Sequence, residues 1–151
     1  MENDRIEQEI VINAPVERVW SVLTEPEHVG RWFGQGVPAP IDLRPGGIMT
    51  VDHGDYGTFP TRIEKVDPPR YFSYRWASAY PGQTATDENS TLVEFTLSPD
   101  GDRTRLKLVE SGFASIAIPS EKQDTASYDS HNSGWTGMLE RLKQYSERPA
   151  A

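Results

Sequence analysis

The stretch VDPPRYFSYRW, residues 66–76, decides how this chain is organised. Two adjacent prolines fix φ and withhold two N–H donors, so a β-ladder must stop at Pro68-Pro69 and the chain can turn there. Residues 58–66 before them read as a strand. After them Phe72, Tyr74 and Trp76 alternate with Ser73, Arg75 and Ala77. A period of two puts the three aromatics on one face of a second strand.

Working outward, the same period runs from residue 41 to 113. It predicts strands at 41–44, 47–54, 57–66, 70–78, 90–98 and 103–111. Pro45-Gly46-Gly47, Gly54-Asp55-Tyr56-Gly57, Pro68-Pro69 and Pro99-Asp100-Gly101-Asp102 are turn-like separators. Such short connections favour an antiparallel meander. Upstream, Ile6, Ile10 and Ile12 share one parity and predict a first strand. Pro15 suits the first position of a helix in which Val16, Val19, Trp20 and Leu23 form the buried face. Thr24-Glu25-Pro26 repeats that signal and predicts a second short helix carrying Val29, Trp32 and Phe33.

Residues 120–147 read as a long helix, with Trp135, Met138, Leu139, Leu142 and Tyr145 or Ser146 in one stripe. Gly134 and Gly137 each cost roughly 1 kcal/mol relative to alanine in a helix. They predict either a close approach to a neighbour or a kinked or frayed turn. An antiparallel sheet buries one face and needs a cover. The long C-terminal helix is the only predicted element large enough, which makes the fold class α+β.

The 151 residues suit a single domain, 1–151, with a core over about 6–147. Fifteen Lys and Arg against 23 Asp and Glu give a net charge of −8. Nucleic-acid binding needs a basic footprint, and an acidic surface disfavours anionic membranes. No apolar run approaches the ~20 residues that span a bilayer. The opening Met-Glu-Asn-Asp-Arg does not read as a signal peptide, so a cytoplasmic location is expected. The absence of cysteine removes disulfides and thiolate chemistry.

Five segments, APVERVWSVLTEPEHVGRWFG (14–34), RPGG (44–47), VDPPRYFSYRW (66–76), STLVEFTLSPDGDRTRLKLVESGF (90–113) and SGWTGMLERL (133–142), resemble the Activator of Hsp90 ATPase homologue 1-like family. That family belongs to the START / Bet v 1-like (SRPBCC) superfamily. The resemblance implies a helix-grip fold, a curved antiparallel sheet around the C-terminal helix with an elongated cavity between them. The superfamily includes lipid and hormone binders, aromatase/cyclases and co-chaperone domains.

Within that expected fold, strand parity indicates which residues line the cavity. Tyr74 and Trp76 face it with Phe72, and Phe95 with Val93 and Leu97. Leu108 shares its face with Leu106, while Arg103, Arg105 and Lys107 point away. Met49, with Val51 and His53, and Phe59 complete the sheet side. Trp32, Trp135 and Met138 are expected from the helices. Glu110 continues the parity of Leu106 and Leu108, so its carboxylate is expected to point inward, with a solvated edge position as the alternative. Counting back from Trp135 in helical steps brings His131 and Tyr128 to the same face. A mainly apolar pocket with a few converging polar groups is the usual form of a small-molecule site.

Three functions follow as expectations. The first is non-catalytic binding of a small, largely apolar molecule, without cofactor. The second is regulation of an Hsp90-type ATPase as a protein partner. The eukaryotic co-chaperone carries a further N-terminal domain, and a chain opening at the first strand ranks that role second. The third is a cyclase or dehydratase using Glu110 and His131 as acid/base candidates. His53, Glu110 and His131 have residue types that suit zinc but lack tight ligand spacing, so no metal is expected. Gly46-Gly47 lacks the strand–glycine–helix context of a phosphate loop.

Overall fold

The computed structural model describes residues 5–25, 27–29, 40–52, 58–77, 85–86, 90–112 and 128–147, with the side chains of 52 and 128–133 excepted. Among the described residues the elements follow in order: β1 (Arg5–Ile12), α1 (Val16–Thr24), β2 (Ile48–Asp52), β3 (Thr58–Asp67), β4 (Tyr71–Trp76), β5 (Thr91–Asp100), β6 (Arg103–Ser111) and α2 (Tyr128–Glu147). The strands form one antiparallel sheet in the order β1-β6-β5-β4-β3-β2. From β2 to β6 it is a meander, and β1 closes the far side by pairing with β6. This is the α+β helix-grip architecture.

Alternation sorts the two faces. Phe72, Tyr74, Val93, Phe95, Leu97, Leu106 and Leu108 are all buried on the inner face. The outer face carries ion pairs such as Arg105–Glu9 at 2.7 Å and Lys107–Glu7 at 3.9 Å. The prolines act as expected. Arg70 N–H donates to Asp67 O at 2.8 Å across the turn, and the Pro68-Pro69 peptide is cis.

One irregularity interrupts β3. Ile63 pairs with Tyr74 but Lys65 pairs with Ser73, so Glu64 is the extra residue of a β-bulge. Arg62 lies opposite Arg75, and Glu64 holds both, at 2.6 and 3.3 Å. A like-charged cross-strand pair is unfavourable without such a counter-ion.

The segment 41–44 is not a strand. Only Ile41 bridges to Met49, because Arg44 N–H turns back to Asp42 O at 2.8 Å and Gly47 N–H to Arg44 O at 2.9 Å. Gly46 takes φ +83°, which favours glycine, and a Cβ on Gly47 would lie 2.0 Å from Asp42 O. The turn chemistry therefore overrides the apolar alternation at that point.

Pro15 sits one position earlier than expected. With ψ 156° it is the N-cap of α1, and its carbonyl accepts from Arg18 N–H at 3.0 Å and Val19 N–H at 3.2 Å. Val16, Val19, Val22 and Leu23 are buried, and half-buried Trp20 meets Phe72 edge-on. Residues 27–29 form a further helical turn with Val29 buried, whereas Trp32 and Phe33 lie outside the described residues.

α2 buries Trp135, Leu139, Leu142 and Ser146. It lies against β1 and α1. Tyr145 OH and His28 Nδ1 are 2.6 Å apart, Arg18 stacks 5.6 Å over the Tyr145 ring, and Glu147 accepts from Asn13 N–H at 2.7 Å. Gly134 and Gly137 are exposed, and a Cβ on either would meet no described residue within 4 Å. Among the described residues neither glycine marks a close approach. Among the described residues no helix is long and apolar enough to cross a membrane.

Candidate functional site

β6 carries Glu110 on the face that buries Leu106 and Leu108. The carboxylate is 0% exposed, so it points into the interior and not to a solvated edge. Trp135 Nε1–H donates to its Oε1 at 2.7 Å, and Thr91 Oγ1–H donates to its Oε2 at 2.5 Å. An inward carboxylate is tolerable only with such donors. Register explains the second one. Val93 lies opposite Glu110, and Thr91, two residues earlier on β5, is its diagonal neighbour.

Ile63, Tyr74, Val93, Glu110 and Ile6 form one row across five strands. With strands about 4.8 Å apart, Tyr74 and Glu110 have Cα atoms roughly 10 Å apart, and only the short Val93 stands between them. Tyr74 is 1% exposed, and its buried hydroxyl has no hydrogen-bond partner among the described residues. Burial pushes its phenol pKa well above the ordinary value, and the negative charge of Glu110 pushes it further.

Aromatic rings surround this polar row. Trp135 meets Phe95 at 5.8 Å and Trp76 at 6.2 Å, and Trp76 meets Phe59 at 6.0 Å, all edge-on. At the level of Trp135 these rings, not an open gap, separate helix from sheet. Trp76 is half-buried, whereas Phe59 and Met49 are buried farther across the sheet, on β3 and β2. α1 covers the opposite end, packing on β5 and β6. The polar groups thus gather away from α1, where Glu110 closes β6 and Thr91 opens β5.

The structure therefore brings Tyr74, Trp76, Phe95, Glu110 and Trp135 together, with Leu108 buried alongside and Met138 half-buried on α2. Tyr128 and His131 belong to α2, but their side chains lie outside the described residues, as do Trp32 and His53 altogether. Among the described residues no group of three His, Asp or Glu side chains is placed to hold a metal.

Residues 13–147 match the family described as Activator of Hsp90 ATPase homolog 1-like protein. The chain belongs to that family. Within it and around it, solved structures share the fold. DynU16, a protein of the dynemicin biosynthetic locus, is 25% identical with a TM-score of 0.74. The match covers 97% of this chain and 48% of DynU16, so the chain spans about half of that protein. Protein MLL2253 from Mesorhizobium loti is 23% identical with a TM-score of 0.74, covering 97% of this chain and 99% of that one. PFC0360w, an HSP90 activator from Plasmodium falciparum, is 18% identical with a TM-score of 0.73, covering 97% and 99%. The likenesses to MLL2253 and PFC0360w carry the fold alone. No curated protein matches the chain significantly.

Sequence reasoning missed Thr91. Its parity with Val93, Phe95 and Leu97 was a sufficient signal, since all four are buried on one face. Thr91 lies inside the strand expected at 90–98, but a hydroxyl does not stand out in a parity drawn from apolar residues.

Proposed function

We propose that the chain binds a small, largely apolar molecule between the aromatic inner face of the sheet and the segments that cover it. The observation that carries this reading is the buried Tyr74 hydroxyl, without a partner among the described residues, in the same cross-strand row as Glu110. A buried unsatisfied hydroxyl costs about 1–3 kcal/mol, and a bound polar group would relieve that cost. The neighbouring rings supply apolar contact, with each buried ligand methylene contributing about 0.8 kcal/mol. Glu110 serves recognition here rather than catalysis. Both its oxygens accept hydrogen bonds from side chains that fix it in place, whereas a general acid/base must exchange its proton with substrate.

Native mass spectrometry of protein purified from its host tests the reading. A co-purifying small molecule, displaced by Tyr74→Trp, supports it. Protein that carries nothing, and whose melting temperature no apolar dye or lipid-like compound raises, overturns it.

Family membership favours one second reading, regulation of an Hsp90-type ATPase. The net charge of −8 suits docking on a basic partner patch. An unchanged ATPase rate of the host's own chaperone at saturating protein removes it.

A further inference from the structure

We propose that the Trp135 indole is a displaceable plug: the ligand is a flat ring system of the indole's size that takes its place, and the glycines on either side of Trp135 release it. This rests on the binding role proposed above and adds the ligand's seat and its class.

A binding role needs room, yet Trp135 is buried and meets Phe95 at 5.8 Å and Trp76 at 6.2 Å, filling the space between helix and sheet. Room arises there when one of these rings moves. Phe95 and Trp76 stand on β5 and β4, which are paired on both sides. Trp135 stands on a helix, with Gly134 before it and Gly137 after it in the same turn. Each glycine weakens a helix by about 1 kcal/mol relative to alanine. A Cβ on either would meet no described residue within 4 Å, so among the described residues no close approach calls for glycine. The far end of α2 is held instead. Arg18 donates to the Tyr145 and Ser146 carbonyls, each at 3.4 Å, Tyr145 OH lies 2.6 Å from His28 Nδ1, and Glu147 accepts from Asn13 N–H at 2.7 Å. Unwinding at 134–137 therefore swings the indole out while the last turn keeps α2 in place. The indole leaves a seat of its own shape, against Phe95 and Trp76, and deprives Glu110 Oε1 of the N–H that it accepts at 2.7 Å. A buried acceptor that loses a donor costs free energy until another donor replaces it. Fused rings bearing an O–H or N–H restore both kinds of contact, whereas a saturated chain supplies neither ring nor donor.

Naphthol, two fused rings with one hydroxyl, tests this on the whole chain. By NMR the Trp135 indole N–H resonance is expected to move toward the position of a solvent-exposed indole as naphthol is added. By calorimetry the double variant Gly134→Ala/Gly137→Ala is expected to bind naphthol at least about fivefold more weakly than the wild type although it melts higher, because alanine favours the wound turn and lowers the share of protein able to bind. A purely structural role for the glycines would raise the melting temperature and leave the affinity unchanged. Naphthol that binds with the Trp135 resonance unmoved, or equally tightly to the double variant, overturns the plug and leaves the binding role standing. So does binding of the apolar dye Nile red where naphthol fails. Failure of naphthol and Nile red alike to bind overturns both.

Discussion

Trp135 donates its indole N–H to Glu110 at 2.7 Å, so one hydrogen bond joins the C-terminal helix to the last strand inside the core. The same indole meets Phe95 and Trp76 edge-on. Trp135→Phe keeps a ring but withdraws a donor from a buried carboxylate. The expected loss is about 2–4 kcal/mol, read from urea unfolding. A loss below about 1 kcal/mol would mean that the bond contributes little.

Tyr74→Phe should behave in the opposite way. The hydroxyl has no partner among the described residues, so removing it abolishes a desolvation cost and creates no cavity in the ring packing. Urea unfolding is expected to show unchanged or increased stability. A clear loss would mean that the hydroxyl is satisfied in solution.

The two helix glycines and the turn glycine should respond differently to alanine. Gly134→Ala and Gly137→Ala each meet no described neighbour and should stabilise by about 0.5–1 kcal/mol. Gly47→Ala drives a Cβ to 2.0 Å from the Asp42 carbonyl and should destabilise by more than about 2 kcal/mol. Thermal melts of the three variants are the check.

Alkaline pH should weaken the fold. Burial, followed by the hydrogen bond with Glu94, raises the Tyr71 phenol from 10.0 to about 12. Above pH 10 the unfolded chain ionises first, so the folded state holds the extra proton. The Tyr71 contribution is complete below 10 and is lost as pH rises through about 12. Tyr74 shifts in the same direction, from burial and Glu110. Urea midpoints on either side of pH 10 should fall with rising pH, and fall less in Tyr71→Phe.

Much of this was legible in the order of residues. Pro68-Pro69 announced the turn because a missing donor is a local property. Phe72 and Tyr74 were assigned inward by parity and are buried. Glu110 continues the phase that Leu106 and Leu108 set on β6, which leaves an inward carboxylate or a solvated edge, and the structure buries it. Other features depended on groups distant in the chain. The segment at 41–44 alternates like a strand, but the Asp42–Arg44 and Arg44–Gly47 backbone bonds curl it into a turn. Gly134 and Gly137 fit either a close approach or a kinked turn, and only the folded arrangement tells whether anything stands beside them. That Trp135 reaches Glu110 across 25 residues of sequence follows from packing and no local pattern contains it.

The bulge at Glu64 carries a last consequence. Before it, Phe59, Thr61 and Ile63 occupy the interior, and after it Val66 does, so odd positions give way to even ones. Without Glu64, the residues Ile63, Lys65 and Val66 would alternate in–out–in opposite Tyr74, Ser73 and Phe72, so the two halves of β3 would stay in phase. What the sheet would lose is the local bend and the carboxylate that Arg62 and Arg75 share.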